Sequence, residues 1–262
     1  VDLSVWSAIE YVRVSRLGRG VMVLSTAGVP VKLWGFDLEA FFRKTAKQRS
    51  AWWLSGLLHE DGFGLDTRVQ FGQREAPVLT GRQSCFIVWA IRRELQRLDE
   101  SYAPRDPLVL AWVARRAELM AETGGSAAEW TALFIVMIFV DDGGAASLDD
   151  LLFDASGEPV MILVDGVRVH QRRAQLHCAA ALGIVRYFGH QESEGKTTWP
   201  GVDLIYLGVT LDLQTWRMYL TLEKRDRYAA DALQLLTSGR AEQGATGVVI
   251  VQFEGLIELA GA

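Results

Sequence analysis

One stretch of the sequence, FIVMIFVDDGG at 134–144, constrains the fold more than any other. Its apolar run has the length and character of a buried strand, and it leads directly into two adjacent carboxylates, Asp141 and Asp142. Two ionised carboxylates repel each other when they are partly desolvated, so we expect a positive charge beside them. Because successive side chains of a strand point to opposite faces, both acids reach one ligand only if the chain turns sharply. We attribute that turn to Gly143–Gly144.

Two interpretations of this acidic pair stay open from the stretch alone: an Asp-rich turn that ends a strand, or oxygen ligands for a hard dication. A third carboxylate, Asp37, lies at the end of another apolar, aromatic-rich strand in LWGFDLEAFFRK. A two-metal phosphoryl-transfer centre needs acids at two strand ends, because its Mg²⁺ ions, about 4 Å apart, clamp the attacking and leaving oxygens. We therefore expect Asp37 and Asp141 to lie on neighbouring strands.

Composition limits the class of protein. The chain has 262 residues, of which 50% are hydrophobic, so it can bury a substantial core. It contains no apolar run long enough for a membrane span and no secretory signal, so we expect no membrane contact and a soluble protein of the cytoplasm or nucleus. The two cysteines and four histidines suggest neither a disulfide framework nor a zinc site. The start at Val1 and the final amphipathic segment favour a piece of a larger polyprotein.

The formal net charge of −5 argues against a free-standing nucleic-acid-binding protein. Basic residues are nevertheless clustered, for example at Arg92–Arg93, Arg115–Arg116 and Arg172–Arg173. We interpret each cluster, taken alone, as a solvated helix face.

Periodicity predicts helices over 76–100, 108–122, about 172–187 and 223–240. The apolar face of the first of these is assigned to Phe86, Trp89, Ala90 and Arg93. Strands are predicted over 21–26, 31–39 and 67–72, with hairpins over 160–170, turning at Asp165–Gly166, and over 203–222, turning near Asp212–Thr215. The segment 143–158 is interpreted as polar and acidic. Helices and strands mix without a βαβ rhythm, which predicts an α+β fold with a mainly antiparallel sheet.

Five short motifs follow one another along the chain: FDLEAFF at 36–42, FGQREAP at 71–77, FVDD at 139–142, LGIVRYFG with EGKTTWP at 182–200, and YLGVTLD at 206–212. In this order they resemble the polymerase motifs of reverse transcriptases, particularly those of retroelements. The resemblance covers most of the chain and implies a polymerase palm with a mainly antiparallel sheet flanked by helices, partial fingers and a thumb stub.

This resemblance divides a single domain, 1–262, into regions. Partial fingers with palm would occupy about 1–36 and 43–85, and palm 86–222, with insertions near 101–130 and 143–172. Residues 223–262 would be the start of the thumb or connection. Phe139 stands where the family more usually has Tyr, which loses a hydroxyl contact with the primer and keeps a stacking ring.

The resemblance also implies catalytic roles. Asp37 and Asp141 would hold two Mg²⁺ ions, with Mn²⁺ as the alternative metal, and Asp142 would assist at the ion nearer the primer. The backbone carbonyl of Leu38 would be a further oxygen ligand. Lys196 would donate a proton to the departing pyrophosphate or neutralise it, although a Lys in a polar loop is also typical of plain solvated surface.

Further residues would contact substrates, namely an RNA or DNA template with its primer and deoxynucleoside triphosphates. The nucleotide-binding set is Phe42, Phe71 and Gly72, and the primer-binding set is Phe139, Tyr206, Leu207 and Gly208. Phe42 would exclude a 2′-hydroxyl, but it is equally interpretable as a core aromatic. Lys224, Arg225 and Arg227 would contact phosphates from the thumb.

Three function hypotheses follow. The first is an RNA-directed DNA polymerase. The second is a catalytically decayed copy that acts only as a nucleic-acid-binding or structural module. The third, a two-metal nuclease or hydrolase, has less support because such sites usually recruit His or more Glu, and no His is near either acidic motif in sequence.

Overall fold

The computed structural model describes residues 14–41, 49, 56–59, 62–65, 68, 76–123, 132–193 and 195–238. In chain order its elements are α1 (Val14–Ser25), β1 (Val31–Asp37), β2 (Gly56–His59), β3 (Gly62–Leu65), α2 (Ala76–Ser101), α3 (Pro107–Thr123), β4 (Phe134–Phe139), β5 (Asp142–Leu148), β6 (Met161–Val164), β7 (Val167–His170), α4 (Arg173–Tyr187), β8 (Thr198–Gly201), β9 (Asp203–Tyr206), β10 (Val209–Asp212), β11 (Arg217–Leu220) and α5 (Leu222–Ser238). The strand pairs in this described part are antiparallel, which confirms the predicted α+β class.

A four-stranded sheet in the order β4-β5-β1-β8 forms the centre of the fold. Strands β1 and β5 pair over their full length, from Val31 opposite Leu148 to Asp37 opposite Asp142. Strand β4 pairs with the other edge of β5, from Phe134 opposite Ser147. A separate meander of β9, β10 and β11 lies beside this sheet, with contacts from β9 to β1 and β5.

Each face of the central sheet carries its own apolar cluster. On one face, Phe36 and Val136 pack with Ile91 of α2 and Cys178 of α4. On the other face, residues of α1 and the meander pack against the alternate residues of the strands: Leu17, Val21, Leu33, Leu204 and Tyr206. Because a sheet covered on both sides excludes water from its middle strands, β1 from Leu33 to Phe36 and β5 from Gly143 to Leu148 are apolar or small.

The strand predicted over 21–26 is wrong, because this segment lies in α1 and the turn that follows it. Its β-branched residues favour a strand by propensity, yet Leu17, Val21 and Leu24 recur at helical spacing and are almost fully buried. Met22 is 65% exposed on the opposite side. Burial of one helical face therefore overrides the local preference.

Helix α2 confirms the predicted helix over 76–100, but the face assigned to it is wrong. Its buried side chains are Thr80, Ser84, Ile87, Ile91, Leu95 and Leu98. Phe86 is 51% exposed and Trp89 is 60% exposed, and Arg93 is also exposed. Both stripes follow the three-to-four residue spacing, so periodicity by itself did not select the one that faces the sheet.

The segment 143–158 is not uniformly polar surface, because Gly143 to Leu148 belong to the central strand β5. Its small residues are required by what lies on either side. A Cβ on Gly143 would stand 2.6 Å from the Phe36 ring, and one on Gly144 would stand 2.7 Å from the Tyr206 ring. The two glycines thus serve close packing, and the sharp turn attributed to them is formed instead by Val140 and Asp141, just before β5.

The remaining predicted elements agree with the structure. Helices α3, α4 and α5 match their predicted segments, and the hairpin β6–β7 turns at Asp165 (φ 49°) and Gly166 (φ 80°) as its sequence indicates. The predicted second hairpin is a three-stranded meander, because a further turn at Leu207–Gly208 adds β9. The strand predicted over 67–72 lies, apart from Arg68, outside the described residues. No helix in the described ranges is long and apolar enough to cross a membrane.

A buried polar network joins α2, α4 and β5. The guanidinium of Arg173, 1% exposed, donates to Asp150 at 2.6 and 2.9 Å and to Asp99 at 2.5 Å. His177 lies 3.0 Å from Asp99 and 3.0 Å from the Ser147 hydroxyl. The Ser147–His177–Asp99 order resembles a hydrolase triad, but the serine and the histidine are fully buried. No substrate reaches this serine, so the network is structural.

Candidate active site

The antiparallel register of β1 and β5 brings the predicted acidic residues together. Asp37, the last residue of β1, pairs directly with Asp142, the first residue of β5. Directly opposed residues of an antiparallel pair place their side chains on the same face, with Cβ atoms roughly 4.5–5.5 Å apart. The Leu38 amide donates a hydrogen bond of 2.9 Å to the Asp141 carbonyl oxygen, which extends this contact past the strand ends.

Asp141 occupies the two-residue turn between β4 and β5, together with Val140. Val140 has a φ of 60°, a conformation that is strained for a β-branched residue and typical of functional turns. The Ser84 hydroxyl of α2 donates a 2.6 Å hydrogen bond to the Val140 carbonyl oxygen and so holds the turn against the helix. Nothing in the sequence singles out Ser84 for this position.

Asp37 has two partners from the segment between α4 and β8. The Ser193 hydroxyl donates to its Oδ1 at 2.6 Å, and Lys196 Nζ donates to its Oδ2 at 3.0 Å. The Ser193 amide also donates to the Asp37 carbonyl oxygen at 2.7 Å. The hydrogen bond to Asp37 raises the pKa of Lys196. Lys196 is therefore a positive charge of the kind expected beside the acids, although its side chain is 63% exposed.

Asp142 is held from the meander. The Leu207 amide donates a 3.0 Å hydrogen bond to Asp142 Oδ2, and Lys224 Nζ of α5 donates a 2.6 Å hydrogen bond to the Leu207 carbonyl oxygen. Gly208 follows with a φ of 74°, and a Cβ at this position would overlap the Lys224 side chain. Helix α5, the Leu207–Gly208 turn and Asp142 thus form one connected chain of contacts.

The electrostatics of the site favour an additional cation. The pKa of Asp142 is raised to about 6, chiefly by burial and in addition by the charges of Asp37 and Asp141, against the lowering effect of the Leu207 amide. Burial also raises the pKa of Asp141. Lys196 lowers both pKa values, yet its effect is the smallest contribution in each case. A bound dication would neutralise the repulsion among Asp37, Asp141 and Asp142 that the single exposed ammonium of Lys196 does not offset.

The oxygen atoms of the site are suitable ligands for such an ion, but the carboxylates of Asp37, Asp141 and Asp142 are not arranged around one point in this structure. Carboxylate and carbonyl oxygens are the ligands that hard dications prefer. Among the described residues, however, no three His, Cys, Asp or Glu side chains form a ready metal-binding group. Asp37 is engaged by Ser193 and Lys196, and Asp142 by the Leu207 amide. For Asp37 to bind a metal ion, its carboxylate would therefore have to give up the hydrogen bond from Lys196.

The predicted primer residues separate into two groups. Phe139 is half-buried directly opposite Asp142, and Leu207 and Gly208 are half-buried at the turn beside it. Tyr206 is fully buried against Gly144, which corrects its expected role as a primer contact: it packs the core beneath the site. Burial and the Asp142 charge raise the pKa of Tyr206, and its hydroxyl has no hydrogen-bond partner among the described residues.

The predicted nucleotide-binding residues Phe42, Phe71 and Gly72 lie outside the described residues. Their assignment stays a prediction.

Comparison with known proteins gives distant similarity only. No family model and no curated protein matches the sequence. Among solved structures, the chain is similar to a foamy viral protease-reverse transcriptase in complex with an RNA/DNA hybrid, with a TM-score of 0.40, 13% identity and coverage of 76% of this chain and 18% of that one. It is similar to the dRH form of that protein with double-stranded DNA at a TM-score of 0.41 and 13% identity, over 80% of this chain and 26% of that one.

A third structure, of the same viral protein with double-stranded DNA, has a TM-score of 0.39 and 14% identity over 76% of this chain. The chain spans between 18% and 28% of the length of these proteins. Similarity at this level assigns no activity to the chain, and the function proposed next rests on the site itself.

Sequence reasoning missed three residues that organise the site: Ser84, Ser193 and the amide of Leu207. Ser193 lies in the polar stretch GHQESEGK, where no local pattern distinguishes it from solvated surface. The sequence predicts only a phosphate contact for Lys224, and its hydrogen bond to the Leu207 carbonyl oxygen is a different role.

Proposed function

We propose that this chain is the palm region, with partial fingers and the start of a thumb, of an RNA-directed DNA polymerase from a retroelement. The observation that carries the proposal is the pairing of Asp37 with Asp142 across adjacent strands, with Asp141 in the turn that precedes Asp142 and Lys196 bonded to Asp37. Acids from two strand ends and one exposed cation beside them are the parts that two-metal nucleotidyl transfer uses.

The proposed roles follow from position. Asp37 and Asp141 would hold two Mg²⁺ ions, or Mn²⁺, with the Leu38 carbonyl as a further ligand and Asp142 nearer the primer. The ions, when bound, supply charge stabilisation for the transferred phosphoryl group. Lys196, released from Asp37 and exposed, is free to donate a proton to, or neutralise, the departing pyrophosphate.

The substrates of this activity would be an RNA or DNA template with its primer and deoxynucleoside triphosphates. Phe42, Phe71 and Gly72 would contact the incoming nucleotide, and Phe139, Leu207 and Gly208 the primer end. The division into partial fingers, palm and thumb, and the place of the chain in a larger polyprotein, belong to the same proposal.

Primer extension on an RNA template tests the proposal. With Mg²⁺ present, we expect Asp37→Asn and Asp141→Asn each to reduce the extension rate by about 100-fold or more, because each removes one anionic ligand. Asp165→Asn is the matched control, since Asp165 is exposed in a hairpin turn with positive φ, which Asn accepts. Extension that survives both substitutions would remove these residues from the catalytic assignment.

A second candidate, the decayed copy that only binds nucleic acid, is favoured by one observation. Asp37 is paired with Lys196, and the described carboxylates do not converge. Calorimetric titration separates the two candidates: binding of Mg²⁺ or Mn²⁺ that is lost in Asp141→Asn supports the polymerase, and no binding supports the decayed copy. The nuclease alternative gains no support, since His190, the histidine packed beside Phe41, is buried.

A further inference from the structure

A cleft lined by four arginines opens between α1, α2, α3 and the start of β4. Its volume is about 390 Å³, and among the described residues that line it the charged ones are Arg16, Arg19, Arg92 and Arg116, with no carboxylate. The whole chain has a net charge of −5, so this concentration of positive charge is a local reversal. Arginine presents planar, bidentate donors that match phosphate oxygens.

Two of the cleft arginines, Arg92 and Arg116, are held in place by contacts with neighbouring residues. Arg116 lies over the Trp112 ring at 4.9 Å from its centroid, and Trp112 is fixed in turn by a 2.8 Å hydrogen bond to Thr26. Arg92 donates a 3.1 Å hydrogen bond to the carbonyl oxygen of Val136, on the edge strand of the central sheet. Partial burial lowers the pKa of Arg116, which is the effect of a cation held away from water. A bound anion would offset that loss of hydration.

An exposed stripe of α2 continues the surface of the cleft. Arg82, Phe86, Trp89 and Arg93 follow one another at spacings of four, three and four residues, so they share one side of the helix. Trp89 lies three residues before Arg92, which lines the cleft, so the stripe lies beside the cleft on the helix surface. The rings of Phe86 and Trp89 are stacked, with centroids 5.8 Å apart and an interplanar angle of 23°, and both remain more than half exposed. Exposed aromatics of this size mark a binding surface rather than a core.

We propose that the arginine cleft and the α2 stripe together bind one strand of unpaired nucleic acid. The four cleft arginines would contact successive phosphates, and Phe86 and Trp89 would stack on the bases, which is how sequence-tolerant single-strand sites are constructed. A duplex fits less well because its bases already stack on each other and offer no face to these rings. An acidic peptide would use the arginines but would leave the two aromatic rings unused.

The surface is separate from the acidic site. Strand β4 runs from the cleft at Val136 towards Asp141, a separation of five residues, or roughly 17 Å for an extended strand. The inference does not depend on the proposed polymerase activity, because it needs neither metal nor primer.

The test is binding of a fluorescently labelled, unstructured 20-nucleotide RNA to the full chain in EDTA, followed by anisotropy across a salt series. We expect Arg16→Gln/Arg19→Gln to weaken binding about 10-fold or more and to reduce the magnitude of the log K against log salt slope by about 1.4, which is 0.7 for each lost phosphate contact. Trp89→Ala should weaken binding roughly 5- to 150-fold with an unchanged slope. The matched charge control is Arg168→Gln/Arg217→Gln, two exposed arginines outside the cleft, which should leave the slope unchanged.

Binding is measured in EDTA and without a primer, whereas the polymerase assignment is read from Mg²⁺-dependent primer extension, so a failed polymerase assignment and a failed binding surface give different results. Equal loss of affinity in the cleft variant and in the control variant would overturn the inference. So would displacement of the RNA by a polyglutamate peptide whose affinity is unaffected by Trp89→Ala, an outcome that assigns the surface to an acidic protein.

Photo-crosslinking of the unaltered chain to a 4-thiouridine RNA avoids any folding defect of the variants. We expect crosslinked peptides from α2 around Phe86–Trp89 or from α3 around Trp112–Arg116, and crosslinks confined to other peptides would overturn the inference.

Discussion

Asp142 accepts a 3.0 Å hydrogen bond from the backbone amide of Leu207, and this bond joins the acidic turn to the meander. The Leu207 carbonyl in turn accepts a 2.6 Å hydrogen bond from Lys224 at the start of α5. Helix α5 thereby helps to fix the position of Asp142 Oδ2. A displacement of α5 would reach this oxygen through only two hydrogen bonds.

Lys224→Met tests this connection. The substitution keeps an unbranched side chain but leaves the Leu207 carbonyl without its donor, so we expect primer extension to fall about 10-fold, chiefly in kcat, from a misplaced carboxylate. Lys224→Arg should restore part of the rate because it keeps a donor. Glu223→Gln, at an exposed position of the same helix, is the control. A raised KM with kcat unchanged would indicate a lost phosphate contact instead.

Gly143→Ala probes the close packing of β5 beneath the site. The new Cβ would stand 2.6 Å from the Phe36 ring in the core, so we expect a loss of about 1–3 kcal/mol in the free energy of unfolding. Gly183→Ala in α4 is the control, because a Cβ there meets nothing within 4 Å. Alanine is the better helix former, so this control should gain up to about 1 kcal/mol. Urea denaturation of both variants measures the contrast, and equal effects would contradict it.

The pH dependence of stability in EDTA should report Asp142. Its folded pKa of about 6 is raised above the value of roughly 4 expected in the unfolded chain, so the folded state binds the proton more tightly. This contribution is fully present below about pH 4 and is lost as the pH rises through 6. We expect the unfolding free energy of the unaltered chain to fall, relative to Asp142→Asn, over that interval. A difference that stays constant from pH 4 to pH 7 would be inconsistent with a raised pKa.

Arg173→Met should be the most destabilising of these substitutions. It leaves Asp150 and Asp99 buried or half-buried without their guanidinium, and breaking a buried ion pair from one side costs about 3–5 kcal/mol. Arg97→Met, which removes the exposed pair with Glu94, should change stability little. If loss of pairing is the cause, Arg173→Met/Asp150→Leu will recover part of the lost stability in thermal unfolding. A double variant no better than the single one would point to lost packing instead.

Local sequence determined the elements whose signals lie within a few residues. The Asp165–Gly166 turn, the long helix α2 and the strand end at FVDD follow from turn chemistry, periodicity and an apolar run. Each of these features depends on short-range sterics or on the periodicity of a single segment, so it can be predicted from the sequence alone. The proximity of Asp37 to the FVDD acids was also expected, from the similar placement of both at strand ends.

The tertiary structure decided what depends on partners distant in the chain. Strand β5 shows no alternation because both its faces are covered, and only Phe36 and Tyr206 explain why Gly143 and Gly144 must be small. The same long-range register puts Asp142 opposite Asp37, while separate contacts bring Ser193 and Lys196 to Asp37 and Leu207 to Asp142. The acidic residues could therefore be identified from the sequence. The hydrogen bonds that orient them form only in the folded chain, where β1 pairs with a strand more than a hundred residues away.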